Sequence, residues 1–356
     1  MPLRRDVGFT DALTMVAPGQ PLREGLDRIL QADMGALIVV GDGPEVLAIC
    51  SGGFLLDAEF SPQRLSELAK MDGAIILAPD ASRIARANVH LVPDPNVPTS
   101  ETGTRHRTAE RVARSIPVPV ISVSEDLSII AVYHGPRKHP LELTPRLLNR
   151  ANQALQTLER YKNRLDAVAG TLTALEVENV VTVRDVVTVL QRTEMVRRIA
   201  EEIHGYIIEA GADGRLVRLQ LEELMGGVED DRRLVIQDYS HITEGWNVGE
   251  AMETLAGLST EDVLDLRALT SVLRLPTASS EFDHPLQPKG YRLLHRIPRL
   301  PGPVIDAVVA HFGTLDNILD AGVSDLDEVE GVTPSRARTI KENLSRVTEG
   351  VGFDRF

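Results

Sequence analysis

Residues 103–108, Gly-Thr-Arg-His-Arg-Thr, combine side-chain types and spacing that suggest chemistry. The apolar residues that follow, Ala109, Val112, Ala113 and Ile116, recur at helical spacing, so a helix is expected to start near Thr104. Its first turn then carries Arg105, His106 and Arg107. A helix start already bears partial positive charge, and carboxylates rather than cations are favoured there. A bound anion removes the conflict. Backbone amides at a helix N-terminus point at an anion, guanidinium groups add paired donors that match phosphate, and Gly103 permits close backbone approach. Read alone, the same residues are also compatible with two solvent-exposed arginines and an incidental histidine.

Met71-Asp72-Gly73-Ala74 heads the apolar run 74–78. Asp followed by Gly at a strand end is often only a turn. It can also be a carboxylate held rigidly beside a nucleotide, the glycine leaving room for a base or ribose. A carboxylate plus a phosphate-gripping basic cluster is the minimum for metal-assisted phosphoryl or nucleotidyl transfer. The metal neutralises phosphate charge, the carboxylate binds it or orients an attacking hydroxyl, and the arginines hold the leaving group.

Proline placement divides the chain that must position these groups, with none between Pro145 and Pro276. Residues 1–145 alternate apolar runs with helical patterns. GALIVVG (35–41), VLAICSGGF (46–54), GAIILAP (73–79), VPVISV (118–123) and SIIAVY (128–133) read as buried strands, and residues 22–32 and 62–70 as helices. This is a compact α/β domain around a largely buried sheet. Residues 146–285 read as helical almost throughout. Leu158, Tyr161, Leu165, Val168, Leu172 and Leu175 follow a 3-4 spacing, the seam of a packed or supercoiled helix. An internal bundle and a spacer that packs between subunits both satisfy that spacing.

Residues 286–356 contain a weak repeat. Leu300-Pro301-Gly302 and Val329-Glu330-Gly331 are each followed by a helical pattern, one ending at Gly313 and the other beginning with Pro334. Two such units read as a tandem helix-hairpin-helix domain, whose glycine turns let backbone amides approach DNA phosphates. The candidate DNA contacts are Arg299, Gly302, Gly331, Arg336, Arg338 and Lys341, with Lys289, Arg292 and Arg296 as further basic residues upstream. The other reading is a small helical packing domain with solvated cations. The second unit has Thr333 where a further glycine is usual, and the first has Pro303 and Val304 after its glycine.

Bulk properties limit the alternatives. A net charge of −14 argues against a protein that coats nucleic acid by overall charge, so any DNA contact must come from a local patch. Aromatic residues make up only 4 %, so the cores must rest on Leu, Val, Ile and Ala. The single cysteine, Cys50, excludes an internal disulfide framework, fits a reducing compartment and is expected to be a buried thiol. Apolar runs such as 36–40 are far too short to span a bilayer, and the N-terminal residues lack a signal-peptide core. A soluble, intracellular protein is expected.

Together, Asp72-Gly73-Ala74 and Gly103-Thr-Arg-His-Arg-Thr-Ala-Glu-Arg111 resemble the diadenylate cyclase family. With the helical spine and the tandem helix-hairpin-helix end, the whole chain resembles the DNA-integrity-scanning branch of that family. The resemblance implies an α/β cyclase domain with a mixed sheet flanked by helices (1–145), an all-α spine (146–285) and a DNA-binding domain (286–356). It implies condensation of two ATP into cyclic di-AMP with release of two pyrophosphates, using Mg²⁺ or Mn²⁺. Each 3′-hydroxyl attacks the α-phosphate of the other ATP.

Asp72 then binds the metal and positions the 3′-hydroxyl, with Gly73 and Ala74 against the nucleotide. Leu91 packs on adenine. Thr104, Arg105, His106, Arg107 and Thr108 line the phosphates, joined by Ser124. His106 is favoured as a phosphate ligand over an acid/base. After Ser124 some relatives carry basic residues, whereas this chain has Glu125 and Asp126. The resemblance further implies head-to-head cyclase domains in a homo-octamer. Branched, Holliday-junction-like DNA bound at the far end would suppress the cyclase, in the nucleoid of a bacterial cytoplasm and away from membranes. Two alternatives stand beside it. One is a non-catalytic, ATP-sensing protein that binds DNA structures. The other is a nucleotidyltransferase acting on a DNA end, which needs more acidic metal ligands than Asp72 alone.

Overall fold

The computed structural model describes residues 7–125, 128–240, 247–274 and 282–353. They fall into two compact units. One holds the residues up to Gln153 together with Ile203–Gln220. The other holds Ala154–Glu202 and the residues from Leu221 onward.

In the first unit the elements run α1 (Val7–Met15), α2 (Pro21–Gln31), β1 (Ala36–Val40), α3 (Pro44–Ala48), β2 (Cys50–Ser51), β3 (Phe54–Glu59), α4 (Pro62–Leu68), β4 (Ala74–Leu77), β5 (Arg83–Leu91), α5 (Thr104–Ser115), β6 (Val120–Ser124), β7 (Ile129–His134) and β8 (Arg137–Pro140). The strands form one sheet in the order β2-β5-β4-β1-β6-β7-β8, with β3 also paired to β5. The β1–β4 pair is parallel and the other pairs are antiparallel, so the sheet is mixed. Both faces are covered. Ile38, Val40, Ile75 and Leu77 pack with Leu22, Leu26, Ile29 and Leu65 of α2 and α4. Leu37, Val39, Ala74 and Ile76 pack with Ala109, Val112 and Ala113 of α5. Burial on both faces explains why these strands read as unbroken apolar runs.

The run 46–54 is not a buried strand. Gly43 and Pro44 start the short helix α3, because proline suits the first helical position. Gly52 and Gly53, at φ +65° and +78°, then turn the chain into β3. Phe54 and Leu55 of β3 are 55 % and 70 % exposed. Cys50 is half-buried, not fully buried, and its thiol donates to the Val46 carbonyl at 3.1 Å.

The helices continue as α6 (Thr144–Val177), α7 (Val183–Ala210), a 3-10 turn (Gly211–Gly214), α8 (Arg215–Leu224), α9 (Val228–Tyr239), α10 (Val248–Gly257), α11 (Thr260–Leu264), α12 (Leu266–Val272), α13 (Tyr291–His295), α14 (Gly302–Phe312), α15 (Leu315–Asp320), α16 (Val323–Asp327) and α17 (Pro334–Phe353). The last residues of α7 belong to the first unit. There Glu209 accepts from His139 Nε2 and from the Glu142 amide, both at 2.8 Å.

In α6 the expected seam is rotated. Leu158, Leu165 and Leu172 are buried, but Tyr161, Val168 and Leu175 are only half-buried. Ala169 and Glu176 complete the buried stripe. Glu176 is tolerated there because Tyr239 donates to it at 2.7 Å and Arg292 at 2.6 Å. Helices α13–α17 share their own core, built on Leu294, Val308, Leu315, Ile318, Leu326 and Ile340. Among the described residues no helix is long and apolar enough to cross a membrane.

Candidate active site

The sheet register gathers the candidate residues at one end. Leu37 on β1 lies beside Ala74 on β4, and Ala74 beside Val89 on β5. Ala36 lies beside Val123 on β6. The chain positions Gly35, Asp72-Gly73, Leu91 and Ser124 therefore all sit at the same edge of the sheet. Three apolar runs, each unremarkable alone, bring the sequence-distant polar residues together.

The start of α5 meets this edge. Its N-cap is Gly103, which supplies no side-chain cap, and its first turn contains no acid. Several other helix starts are satisfied internally, although α14 likewise has no side-chain cap and no first-turn acid. Ser61 caps α4, and Asn247–Glu250 and Ser259–Asp262 form capping boxes on α10 and α11. What sets α5 apart is that its uncapped amides coincide with Arg105, His106 and Arg107 in the first turn, a combination that suits an anion. Arg105 reaches Asp72, with Nη2 3.9 Å from Oδ1, and the Asp72 side chain is fully exposed. A Cβ on Gly35 would overlap the Arg105 guanidinium, so glycine at the head of β1 makes room for it. Gly73 has a similar cause. Its Cβ would lie 2.6 Å from the Asn88 carbonyl carbon, where Asn88 takes φ +55° at an irregularity of the β4–β5 pairing.

The loop leading into α5 is tied to the helix itself. Glu110 is buried and accepts from Thr99 Oγ1 at 2.5 Å and from the Ser100 amide at 2.9 Å. Arg111 and Arg114 donate to the carbonyls of Val97 and Pro98. The basic residues of this segment therefore divide. Those in its second half hold the loop, and those in its first turn face solvent or Asp72.

His106 Nδ1 lies 2.8 Å from Ser122 Oγ and 3.0 Å from Tyr133 Oη. Tyr133 also donates to Glu101 at 3.4 Å, and Glu101 pairs with Lys138 at 2.5 Å. Burial pushes the His106 pKa down, which favours the neutral ring; Glu101 opposes this, while Lys138 and Arg105 reinforce it. Burial, then Glu101, pushes the Tyr133 phenol well above its ordinary range.

Thr104 and Arg107 are exposed, and the Thr108 hydroxyl donates to the Thr104 carbonyl at 2.9 Å. Ala74 and Leu91 lie in the core between the sheet and α5. Ser124, at the end of β6, is buried too. Glu125 is exposed, and Asp126 lies outside the described residues. Gly35, Asn88, Glu101, Ser122 and Tyr133 were not singled out from sequence. The glycine before an apolar run was the one local signal available. A serine or tyrosine inside an apolar strand carries none.

At the other candidate site, the Gly331 turn has φ +83° and lies against Val304 in the first turn of α14. Arg336 donates to the Gly331 carbonyl at 2.8 Å. Nothing lies within 4 Å of a Cβ built on Gly302. Arg299, at φ +60°, and Arg338 are exposed. Lys341 is turned inward, donating to the Leu319 and Ala321 carbonyls that end α15. Arg292 is buried on Glu176, and Lys289 donates to the carbonyls of Gln237 and Ser240. These last two do not contribute to a surface patch, contrary to the sequence reading.

The mixed, doubly covered sheet and its cationic helix start fit a nucleotide-binding domain, and the family model that matches them is that of a diadenylate cyclase domain. Residues 23–137 match the model of the DisA bacterial checkpoint controller nucleotide-binding domain, and residues 141–282 that of the DisA checkpoint controller linker region. The chain is 55 % identical over 351 residues to the DNA integrity scanning protein DisA of Frankia alni, covering 98 % of this chain and 97 % of that one. It is 54 % identical to the same protein of Kineococcus radiotolerans (99 % and 98 % covered) and 50 % identical to that of Streptomyces coelicolor (97 % and 93 %). Among solved structures, DacA from Staphylococcus aureus is 22 % identical over 36 % of this chain and 86 % of that one, with a TM-score of 0.28. The chain belongs to the DNA integrity scanning protein DisA family.

Proposed function

We propose that this chain condenses two ATP into cyclic di-AMP and two pyrophosphates, with Asp72 as its catalytic carboxylate. The observation that carries the reading is the pairing of a fully exposed Asp72 with Arg105, 3.9 Å away at an uncapped, acid-free helix start. A triphosphate supplies the negative charge that this helix start lacks. Arg105, Arg107, Thr104, Thr108 and the His106 ring hold its oxygens, with Ser124 at the adjoining strand end. Gly73 leaves Asp72 close to the ribose, and Ala74 and Leu91 belong to the apolar floor beneath the nucleoside.

The donor set suits Mg²⁺ or Mn²⁺. Among the described residues no group of three or more His, Cys, Asp or Glu could hold a metal by itself. A cation bound by one carboxylate and completed by phosphate oxygens and water is the usual arrangement for Mg²⁺. When bound, such an ion neutralises phosphate charge and lowers the pKa of the attacking hydroxyl. Asp72 orients the 3′-hydroxyl of one ATP toward the α-phosphorus of the other. In each of two reciprocal attacks a 3′-O–P bond forms, the hydroxyl proton passes to Asp72 or to water, the Pα–O–Pβ bond breaks, and pyrophosphate leaves against the arginines. Two copies of the domain must face each other, because each presents a single such edge; assembly as a homo-octamer satisfies this.

The proposal extends to the C-terminal region as a tandem helix-hairpin-helix domain that binds branched DNA and regulates the cyclase. The adjoining Gly331 and α14 turns, with Arg299, Gly302, Arg336 and Arg338 around them, support it. Lys341 contributes by fixing the end of α15. Removing the region would strip Glu176 and Asp238 of their buried partners, so charge reversal at Arg299 and Arg338 is the cleaner test of DNA affinity. For the cyclase, the protein is incubated with ATP and Mn²⁺ or Mg²⁺ and the products are separated chromatographically. Cyclic di-AMP is expected. ATP binding with no cyclic product under any metal or pH would favour the ATP-sensing alternative.

A further inference from the structure

His106 is held more firmly than contact with a phosphate requires. Its Nδ1 has two hydroxyl neighbours, Ser122 Oγ at 2.8 Å and Tyr133 Oη at 3.0 Å. Ser122 is 0 % exposed and Tyr133 1 % exposed. The single Tyr133 proton is given to Glu101, so the buried Ser122 hydroxyl is the donor to Nδ1, and a bare imidazole nitrogen is the acceptor its proton needs. Glu101, which accepts the Tyr133 proton at 3.4 Å, is paired with Lys138. The Cδ2 edge of the ring, next to Nε2, lies 3.7 Å from the Cβ position of Gly103, so Nε2 is on the side of the α5 start.

We propose that Ser122 and Tyr133 are positioning residues that fix His106 as the neutral Nε2–H tautomer, making it a hydrogen-bond donor to the triphosphate and not an acid/base. With Nδ1 accepting, the one proton of a neutral imidazole resides on Nε2. A protonated Nε2 has no lone pair for the 3′-hydroxyl proton, and Nδ1 is enclosed by the two hydroxyls. The ring thus adds a donor between Arg105 and Arg107 without adding a third charge at a helix start that already repels cations. The charged groups around it are Glu101 and Lys138 behind and Arg105 beside it, and burial favours the neutral form. The inference rests on the reading that the α5 start holds the triphosphate.

The test is made on the full chain, labelled with ¹⁵N-histidine, by two-bond ¹H–¹⁵N correlation spectra at neutral pH. His106 is picked out of the nine histidines by its absence in His106→Gln. The expected spectrum is that of the Nε2–H tautomer, and inorganic pyrophosphate should shift that Nε2–H proton downfield. An Nδ1–H tautomer overturns the proposal, as does an Nε2–H resonance that pyrophosphate leaves unmoved. Ser122→Ala with Tyr133→Phe should give mixed tautomers and raise the KM for ATP by about tenfold, with kcat within about twofold and no new inflection in its pH profile. A large loss of kcat with a new inflection near neutrality would instead make His106 an acid/base and overturn the proposal. If the double variant does not fold, the near-isosteric Tyr133→Phe and the wild-type spectrum decide. Absence of cyclic product from the wild type defeats the proposed function, while the tautomer and the pyrophosphate titration are still read independently.

Discussion

Arg292 and Arg105 show the same side chain under opposite constraints. Arg292 is 3 % exposed, with Nη1 2.6 Å from a buried Glu176. Arg105 keeps 36 % of its side chain exposed and comes within 3.9 Å of an Asp72 that is itself fully solvated. In the first case each charge has lost its water and found its partner, so the pair belongs to the packing of α6, α9 and α13. In the second, water still surrounds both groups, and the helix start between them lacks the cap that α4, α10 and α11 possess. A charge completed inside the chain serves the fold, and the charge left incomplete at the uncapped α5 start is the feature on which the proposed triphosphate site rests.

That contrast breaks first at Arg292. Arg292→Met should leave Glu176 buried without its cation and destabilise the helical unit by about 3–5 kcal/mol in denaturant unfolding. Below its unfolding transition, the variant should keep the wild-type KM for ATP. Arg105→Ala should do the reverse. It should lower kcat/KM by about 10²-fold, roughly 3 kcal/mol in the transition state, with stability unchanged or slightly improved. Saturating ATP should raise the wild-type melting temperature and raise that of Arg105→Ala much less, as mass action requires. Equal stabilisation of both proteins by ATP would break the comparison.

A smaller effect sharpens it. Burial lowers the His106 pKa in the folded state, so on acidification the unfolded chain takes up this proton first. Stability should therefore fall as the pH drops below about 6.5, the ordinary histidine value, toward the folded pKa. His106→Gln should remove that part of the slope. A steeper slope in the variant would show that the sign is wrong.

The sequence was legible where one element decided the outcome. β1, β4, β6 and β7 announced themselves because residues on both faces are buried, and α5 because its apolar face has helical period. The run 46–54 misled because hydrophobicity alone does not register Pro44 at a helix start or the left-handed turn at Gly52-Gly53. Strand β3 was missed for the opposite reason: it exposes Phe54 and Leu55 at the sheet edge. On α6, the 3-4 spacing found the helix but chose Tyr161, Val168 and Leu175 over Ala169 and Glu176, because the arginine and tyrosine that neutralise Glu176 lie far along the chain. The candidate site followed the same rule. Asp72 and Arg105 were visible as a carboxylate and a cation in unfavourable local settings. Ser122, Tyr133 and Glu101 carry no such local signal, and only the fold brings them to His106.

In the proposed reaction Asp72 acts on an ATP held by the start of α5. The most direct test compares wild type with Asp72→Asn, measuring ATP affinity by calorimetry and cyclic di-AMP formation by chromatography on the same preparations. Cyclic di-AMP is expected from the wild type and none from the variant, with ATP dissociation constants within a few-fold of each other. A fully active Asp72→Asn protein would contradict that role of Asp72.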